Sequence, residues 1–347
     1  MNRTRVLLLF GGESSEHDVS ISSARNVCAA IDDEKYEPLL CYIDRSGKWW
    51  LLDELDRDIS TDGCEQLMPM LGSGSFMVYP DKRIIKPDVI FPILHGRNGE
   101  DGTVQGLVQL THIPIVGCDV TASGIAMNKL ATKQILQANG INIIPYDVHR
   151  QYQETPDFGK LTMQLGNPLF VKPARAGSSV GVSKVHTASE FQDALDLAHE
   201  HDSIVLIEKA ISGQELEVAA LGTPPAHKVS GVGEVVPGES FYTYADKYAQ
   251  DSAAKVTVEA NVDTEAKEAI RTIADRVYEL LDCRGLARID FILSDEGTPY
   301  LLEVNTLPGF TNISMYPKLW RNQGIGYTDL ITALIEDARG SATIVAE

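Results

Sequence analysis

The chain predicts an α/β fold, with an open α/β unit at the N-terminus followed by two α+β units. Three observations carry this expectation. The continuous apolar run Val6-Leu7-Leu8-Leu9-Phe10 stops at Gly11-Gly12, as does a strand buried on both faces of a parallel sheet. Short apolar runs then alternate with stretches of helical periodicity. Near the C-terminus, Arg288-Ile289-Asp290 and Glu303-Val304-Asn305 flank the turn formers Ser294-Asp295-Glu296-Gly297-Thr298-Pro299 and read as a β-hairpin.

After the first strand, a helix from about Ser20 places Ile21, Ala24, Val27, Cys28 and Ile31 on one face. Leu39 to Ile43 and Val89 to Leu94 are further strands, and this first unit spans residues 1–121. Lys129 to Asn139 reads as a helix closed by Gly140, with Pro145 breaking the pattern. Strands at Leu169 to Lys172, Val182 to Val185 and Ile204 to Glu208, with a helix from Thr187 to His199, make a small second unit over 122–212. The third, 213–347, opens with strands at Leu216 to Leu221 and Lys228 to Val236. Pro237 to Ala254 carries Gly, Ser, Thr, Tyr and Asp without a period, the pattern of a long functional loop. A helix after Thr264 buries Ile270, Ile273, Val277, Leu280 and Leu281, and the hairpin follows.

A chain of 347 residues, 44% hydrophobic and 23% charged, has room for two or three cored domains. A net charge of −19 argues against nucleic acid or an anionic membrane as partner, because both reward Lys/Arg stripes. Any anionic ligand must therefore find a local basic pocket. Cys28, Cys41, Cys64, Cys118 and Cys283 are scattered and lack Cys-x-x-Cys spacing, so they read as buried thiols in a reducing compartment. The apolar run at Val6 is too short for a signal or a membrane span, and the expected location is cytoplasmic.

The hairpin carries the sharpest chemistry. If Leu293 pairs with Tyr300, Asp290 lies opposite Glu303 and Arg288 opposite Asn305, all on one face. Opposed carboxylates destabilise a sheet unless a cation sits between them. Oxygen donors without His or Cys suit Mg²⁺ shared with substrate phosphates. The alternative is an acidic hairpin in another register, turned to solvent.

Other segments stand at strand ends. Lys172-Pro173-Ala174-Arg175-Ala176-Gly177-Ser178-Ser179-Val180-Gly181 joins a lysine to a Gly/Ser loop, which can cradle phosphate or be a plain hairpin turn. It is not a Walker A sequence. Lys129 is a second partner for phosphate or carboxylate, or else a solvated lysine. Glu208 and Glu215 can accept hydrogen bonds from an adenine amine and ribose hydroxyls, or lie on the surface. In Gly11-Gly12-Glu13-Ser14-Ser15-Glu16-His17-Asp18, Glu16 suits an ammonium ligand, while the Ser and Asp residues also suit a helix cap. The missing Gly-x-Gly-x-x-Gly counts against a nicotinamide enzyme. His95, opening His95-Gly96-Arg97-Asn98-Gly99-Glu100-Asp101-Gly102, is a ligand contact or a satisfied loop residue.

In this order the segments resemble the D-alanine–D-alanine ligases of the ATP-grasp superfamily. The likeness rests on Gly11-Gly12 with Ser15-Glu16 and Val19-Ser20, on His95-Gly96 with Gly99-Glu100-Asp101-Gly102, and on Lys172-Pro173 with Gly177-Ser178-Ser179-Val180-Gly181. It continues in Tyr244 to Lys247-Tyr248, in Arg288-Ile289-Asp290, and in Glu303-Val304-Asn305-Thr306 with Pro308-Gly309.

The resemblance implies a three-domain ATP-grasp architecture, with ATP between the second and third domains, two Mg²⁺ (or Mn²⁺) ions and a homodimer. It implies that a first D-alanine becomes an acyl phosphate, which the amine of a second D-alanine attacks. By motif, Asp290, Glu303 and Asn305 would hold the metals; Lys129 and Lys172 would bind phosphates, with Lys247 also on the nucleotide. Glu208 and Glu215 would bind adenine and ribose, with Lys209 and Ile211 giving backbone contacts. Arg288 and the Gly309 N–H would form an oxyanion hole, where one lost donor costs roughly 3 kcal/mol. Glu16 would take the first ammonium with His95 nearby, Ser314 the second carboxylate, and Ser178 would link Glu16 to Tyr248 across the closed loop.

Tyr248 also bears on the acceptor, since the similar ligases that make D-alanyl-D-lactate carry a histidine in its place. Met315, where many of the alanine enzymes have leucine, is apolar and of similar volume, and sides with them. Both point to D-alanine. The rivals are a D-lactate or D-serine ligase on the same scaffold, a dinucleotide oxidoreductase, and a non-catalytic nucleotide-binding module.

Overall fold

The apolar N-terminal run becomes β1 (Thr4–Gly11), and Val6 to Phe10 are each 0% exposed, as burial on both faces requires. The structure is a computed structural model, in which residues 3–56, 58–236 and 255–345 are described. Helix α1 (His17–Ala30) follows and leads into β2 (Tyr36–Ile43), parallel to β1. The chain then adds β3 (Trp49–Leu52), β4 (Glu65–Met70), β5 (Ser75–Tyr79) and β6 (Arg83–Ile85) before β7 (Val89–Pro92) pairs parallel with β1. The sheet order is β6-β5-β4-β3-β2-β1-β7. The four antiparallel strands were not expected, because residues 49–85 are broken by Pro69, Gly72 and Gly74 and alternate poorly.

Helices α2 (Thr103–Thr111), α3 (Val120–Met127) and α4 (Lys129–Ala138) come next. Asp119 caps α3 by accepting from the N–H groups of Thr121 and Ala122, and Asn128 caps α4 through Ala131. A second sheet, in the order β10-β9-β11-β8, is built from β8 (Tyr146–Arg150), β9 (Leu169–Pro173), β10 (Ser183–Val185) and β11 (Ile204–Lys209). Helices α5 (Phe158–Leu165) and α6 (Ala188–His199) cover it, and Thr187 with Glu190 forms a capping box at α6.

The third sheet runs β14-β13-β12-β15-β16, from β12 (Gly213–Leu221), β13 (Lys228–Val236), β14 (Lys255–Thr257), β15 (Leu286–Ser294) and β16 (Pro299–Asn305). Helix α7 (Thr264–Leu280) buries Ile270, Ala274, Val277 and Tyr278 in the core of this sheet. The same core takes in Ala122, Ala126 and Leu136 of α3 and α4, while Leu130 of α4 packs on Ala174 and Leu206. These two helices therefore tie the second sheet to the third.

Helices α8 (Met315–Asn322) and α9 (Tyr327–Val345) reach the other way. Tyr316, Trp320, Leu330 and Leu334 share one core with Val6, Leu8 and Phe10 of β1. Among the described residues no helix is long and apolar enough to cross a membrane.

The hairpin β15–β16 differs from expectation at its turn. Leu293 pairs with Pro299 and Tyr300 with Ile292, one step from the expected pairing. A bulge at Leu302 absorbs the step, so that Asp290 still faces Glu303 and Arg288 still faces Asn305.

Where the first and third units meet, Gly285 (φ +67°) lies so close to Gly117 that a methyl group on it would sit 2.8 Å from Gly117 N and Cα. Gly285→Ala is expected to destabilise the protein by about 2 kcal/mol or more, through strain and backbone overlap together. Denaturant unfolding of the two proteins, compared at equal slope, measures it.

Candidate active site

Strand register builds the site. Glu217 of β12, Asp290 of β15 and Glu303 of β16 lie on one rung, and the next rung holds Ala219, Arg288 and Asn305. Residues two apart share a face, so Arg288 folds back over its own neighbours. Its Nε lies 2.8 Å from Asp290 Oδ1 and 3.1 Å from Glu217 Oε2, and its Nη2 lies 2.7 Å from Asp290 Oδ2. Asn305 Nδ2 donates to Asp290 Oδ2 at 2.9 Å. Lys129 Nζ stands 3.4 Å from Glu303 Oε2. The chain itself thus places cations beside its opposed carboxylates, which corrects the expectation that the hairpin alone demands an added ion. Burial works against the Arg288 charge, but Asp290, Glu217 and Glu303 more than compensate and hold its pKa well above the ordinary value.

The donor set still fits a divalent ion. Asp290, Glu303 and Asn305 offer only oxygen and amide donors, and with its Nδ2 on Asp290, Asn305 keeps Oδ1 for a metal. Among the described residues no three His, Cys, Asp or Glu side chains form a metal cage. An ion here would complete its shell with substrate oxygens.

A cleft lies between the second and third sheets. Lys129, Lys172, Gly177, Ser178, Glu208, Lys209, Ile211 and Glu215 line it, with Phe170, Leu216 and Ile292 giving an apolar lining. Glu208 is buried between two ammonium groups, Lys172 Nζ at 2.7 Å and Lys133 Nζ at 2.9 Å. Its burial favours the neutral acid, yet the two lysines outweigh that and hold the carboxyl below its ordinary range. Burial pulls the pKa of the Lys133 ammonium down even so, against the pull of Glu208.

The Gly/Ser loop closes one side. Ser178 and Ser179 both adopt left-handed backbone, φ +53° and +58°, which costs of order 1 kcal/mol each. Lys129 Nζ braces the loop by donating to Ala176 O at 2.8 Å.

A second, smaller cavity opens beyond it, lined by Glu16, His95, Glu100, Pro308 and Gly309. It shares Lys129, Gly177, Ser178, Arg288 and Glu303 with the larger cleft. Buried Glu16, at the start of α1, crowds Gly96 so closely that a methyl group there would meet Glu16 Oε2 at 2.9 Å. His95 Nδ1 is 3.0 Å from Leu307 O and Nε2 is 3.1 Å from Ser23 Oγ. Burial lowers its pKa, so the ring is neutral, donates from Nδ1 to the carbonyl and accepts from the serine. Both nitrogens are committed to the protein, and His95 acts as a strut. Glu100 accepts from Gly96 N at 2.6 Å and Leu307 N at 3.4 Å. Burial first, then the Glu16 charge, pushes its carboxyl up to about 8.

Two expected site residues stand apart. Ser314 is the N-cap residue of α8 but makes no side-chain capping bond; its Oγ accepts from Thr311 N at 3.1 Å, beside Gly309 and outside both cavities. Met315 is buried in the core, where a methyl group on Gly233 would meet its Sδ and Cε at 2.8 Å. Tyr248 and Lys247 lie outside the described residues. Sequence reasoning gave no role to Lys133, Glu217 or Glu100. Lys133 follows Lys129 by one helical turn and Glu217 follows Glu215 by two on a strand, and those spacings were the available signal.

Comparison with known proteins decides the family. The profile "D-ala D-ala ligase N-terminus" matches residues 5–118 and "D-ala D-ala ligase C-terminus" matches 135–336. The chain belongs to the D-alanine–D-alanine ligase family. It is 42% identical to D-alanine–D-alanine ligase A of Escherichia coli (strain K12), over 97% of this chain and 96% of that one. Identity to the Chromobacterium violaceum ligase A is 43%, over 97% and 95%. Among solved structures, the D-alanine-D-alanine ligase from Coxiella burnetii superposes with a TM-score of 0.90 at 31% identity, covering 100% of this chain and 97% of that one. The VanG D-Ala:D-Ser ligase from Enterococcus faecalis gives 0.89 at 33%, covering 97% and 100%. The three-sheet fold is thus the ATP-grasp architecture of this family.

In this family member Glu100 carries a pH signature. The folded carboxyl keeps its proton to about pH 8, whereas an unfolded glutamate releases it near its ordinary value of 4.5, so the folded state binds more protons between those values. Stability therefore falls as pH rises through that window. Thermal melts from pH 5 to 8.5 should show Tm falling more steeply in the native protein than in Glu100→Gln; parallel curves would refute the assignment.

Proposed function

We propose that this chain joins two D-alanines into D-alanyl-D-alanine at the expense of ATP, through a D-alanyl phosphate. One observation carries the reading: the large cleft and the smaller cavity meet at Lys129, Ser178, Arg288 and Glu303. A triphosphate end in the first and an amino-acid carboxylate in the second are thereby brought face to face.

Glu208 accepts from the adenine amine, with Lys209 and Ile211 offering backbone groups, and Glu215 takes the ribose. Lys172 and Lys129 neutralise phosphate oxygens from opposite sides. Asp290, Glu303 and Asn305 would hold Mg²⁺ or Mn²⁺, which when bound screens the charge between phosphates and an incoming carboxylate.

Glu16 receives the ammonium of the first D-alanine, whose carboxylate attacks the γ-phosphate as ADP leaves. The amine of the second D-alanine then attacks the acyl carbon, loses a proton and expels phosphate. Arg288 and the Gly309 N–H meet the oxyanion that forms in between. Ser178 stands at the junction of both cavities, and with Tyr248 it would close the site against water. Ser314, beside Gly309, receives the second carboxylate.

D-Alanine is the proposed acceptor, with D-serine or D-lactate as the second reading. The D-Ala:D-Ser ligase noted above shares the fold, so fold alone favours neither. A cytoplasmic homodimer completes the proposal, on the family resemblance.

Phosphate release with ATP, Mg²⁺ and each acceptor tests the reading. D-Alanine should give the dipeptide at the highest kcat/KM, and a preference for D-lactate or D-serine would overturn that choice. Arg288→Met should lower kcat by about 10²- to 10³-fold, the usual effect of losing one oxyanion donor. Unchanged turnover in Glu303→Gln would remove the metal role from that carboxylate.

A further inference from the structure

Arg288 is asked to do two things in the reading above. It must stay fixed as an oxyanion donor, yet its principal anchor, Asp290, is also a metal ligand. An ionised carboxylate offers about four lone-pair sites. On Asp290, Arg288 Nε takes one at Oδ1, Arg288 Nη2 one at Oδ2, and Asn305 Nδ2 a second at Oδ2. The open site is on Oδ1, the oxygen that faces Nε. A divalent ion there draws electron density from the same oxygen and weakens the Nε–H bond.

Glu217 Oε2 lies 3.1 Å from that Nε, on the side away from Glu303. Like Asp290 it is buried, and it sits directly across from Asp290 on the neighbouring strand. The charges support the same view. Glu217, Asp290 and Glu303 carry three negative charges against the two positive charges of Arg288 and Lys129. A bound divalent ion makes the cluster net positive, which suits a phosphate-bearing ligand.

We infer that Glu217 is a positioning residue for the ligase reaction: it holds the Arg288 guanidinium in place when Asp290 Oδ1 is committed to a divalent ion. The inference rests on the ligase reading. Without Glu217, Arg288 depends on Asp290 for its direct contacts and competes with the ion for it. Ion binding and oxyanion positioning, independent in the native protein, then oppose each other.

The test compares the native protein, Glu217→Gln, Arg288→Met and the double variant. Mn²⁺ binding with ADP present and D-alanine absent is read by electron paramagnetic resonance, and dipeptide synthesis by kcat and KM. Glu217→Gln should weaken Mn²⁺ binding and lower kcat each by roughly 10- to 100-fold, with KM for ATP little changed. In the Arg288→Met background the same change should alter Mn²⁺ affinity by less than about twofold, because the groups act as a pair. Glu217→Asp keeps the charge but retracts it by one methylene. It should preserve Mn²⁺ affinity and still lose kcat, and it serves if the glutamine variant folds poorly. Native kcat in both Glu217 variants, or fully additive effects on Mn²⁺ binding, would overturn the inference while leaving the ligase reading intact. A native protein that makes no dipeptide would overturn both.

Discussion

Three carboxylates on one rung of a sheet should repel, and most of the active site is the set of groups that prevents it. Glu217, Asp290 and Glu303 occupy adjacent strands at the spacing where like charges are most costly. Arg288, two residues from Asp290 on the same face, lies between two of them. Lys129, from the first turn of α4, reaches the third and braces the Gly/Ser loop with the same ammonium. The sheet, the helix and the loop are therefore coupled by charge. Removing Arg288 takes from the buried Asp290 its closest cationic partner, a larger effect than the pair's own attraction.

The end of the cleft around Glu208 repeats the device in a drier place. Glu208 is ionised at 2% exposure only because Lys172 and Lys133 flank it, and Lys133 tolerates burial because Glu208 and the Ile144 carbonyl are at hand. The trio carries one net positive charge. Fixing a carboxylate by two side chains from different elements preorganises an acceptor, so a ligand bound there need not order it on arrival.

Legibility in the sequence followed the strength of local constraints. A strand buried on both faces, such as β1, announces itself by composition, and β13 was read to the residue. The hairpin face was legible because polar residues two apart on a strand have one geometric meaning. Its turn was not, because the bulge at Leu302 has no signal in residue type. The strands from Trp49 to Ile85 were missed since each is short and half-exposed, and β-pattern there depends on partners brought from elsewhere. Lys133 and Glu217 were passed over because a lone lysine on a helix and a lone glutamate on a strand are ordinarily solvated. Only the packing of α4 on Ala174 and Leu206, and of β12 against β15, makes them buried.

The acceptor end follows a different logic. Met315 was expected to face substrate, yet it is packed under α8 against Gly233, whose missing side chain makes the room. Its volume sets how far the N-terminus of α8 stands from β13, and with it Ser314. Ser314 in turn touches Gly309, where a methyl group would lie 3.0 Å from its hydroxyl. A change at residue 315 therefore reaches Gly309, the proposed oxyanion donor, by moving a helix end. Leucine and methionine fill that space alike, whereas an arginine would bring a charge into an apolar core and must push α8 outward. Such a shift would alter the proposed acceptor pocket without altering any residue that lines it. The shared fold of the D-alanine and D-serine ligases is compatible with this, because a small movement of one helix end leaves the topology untouched.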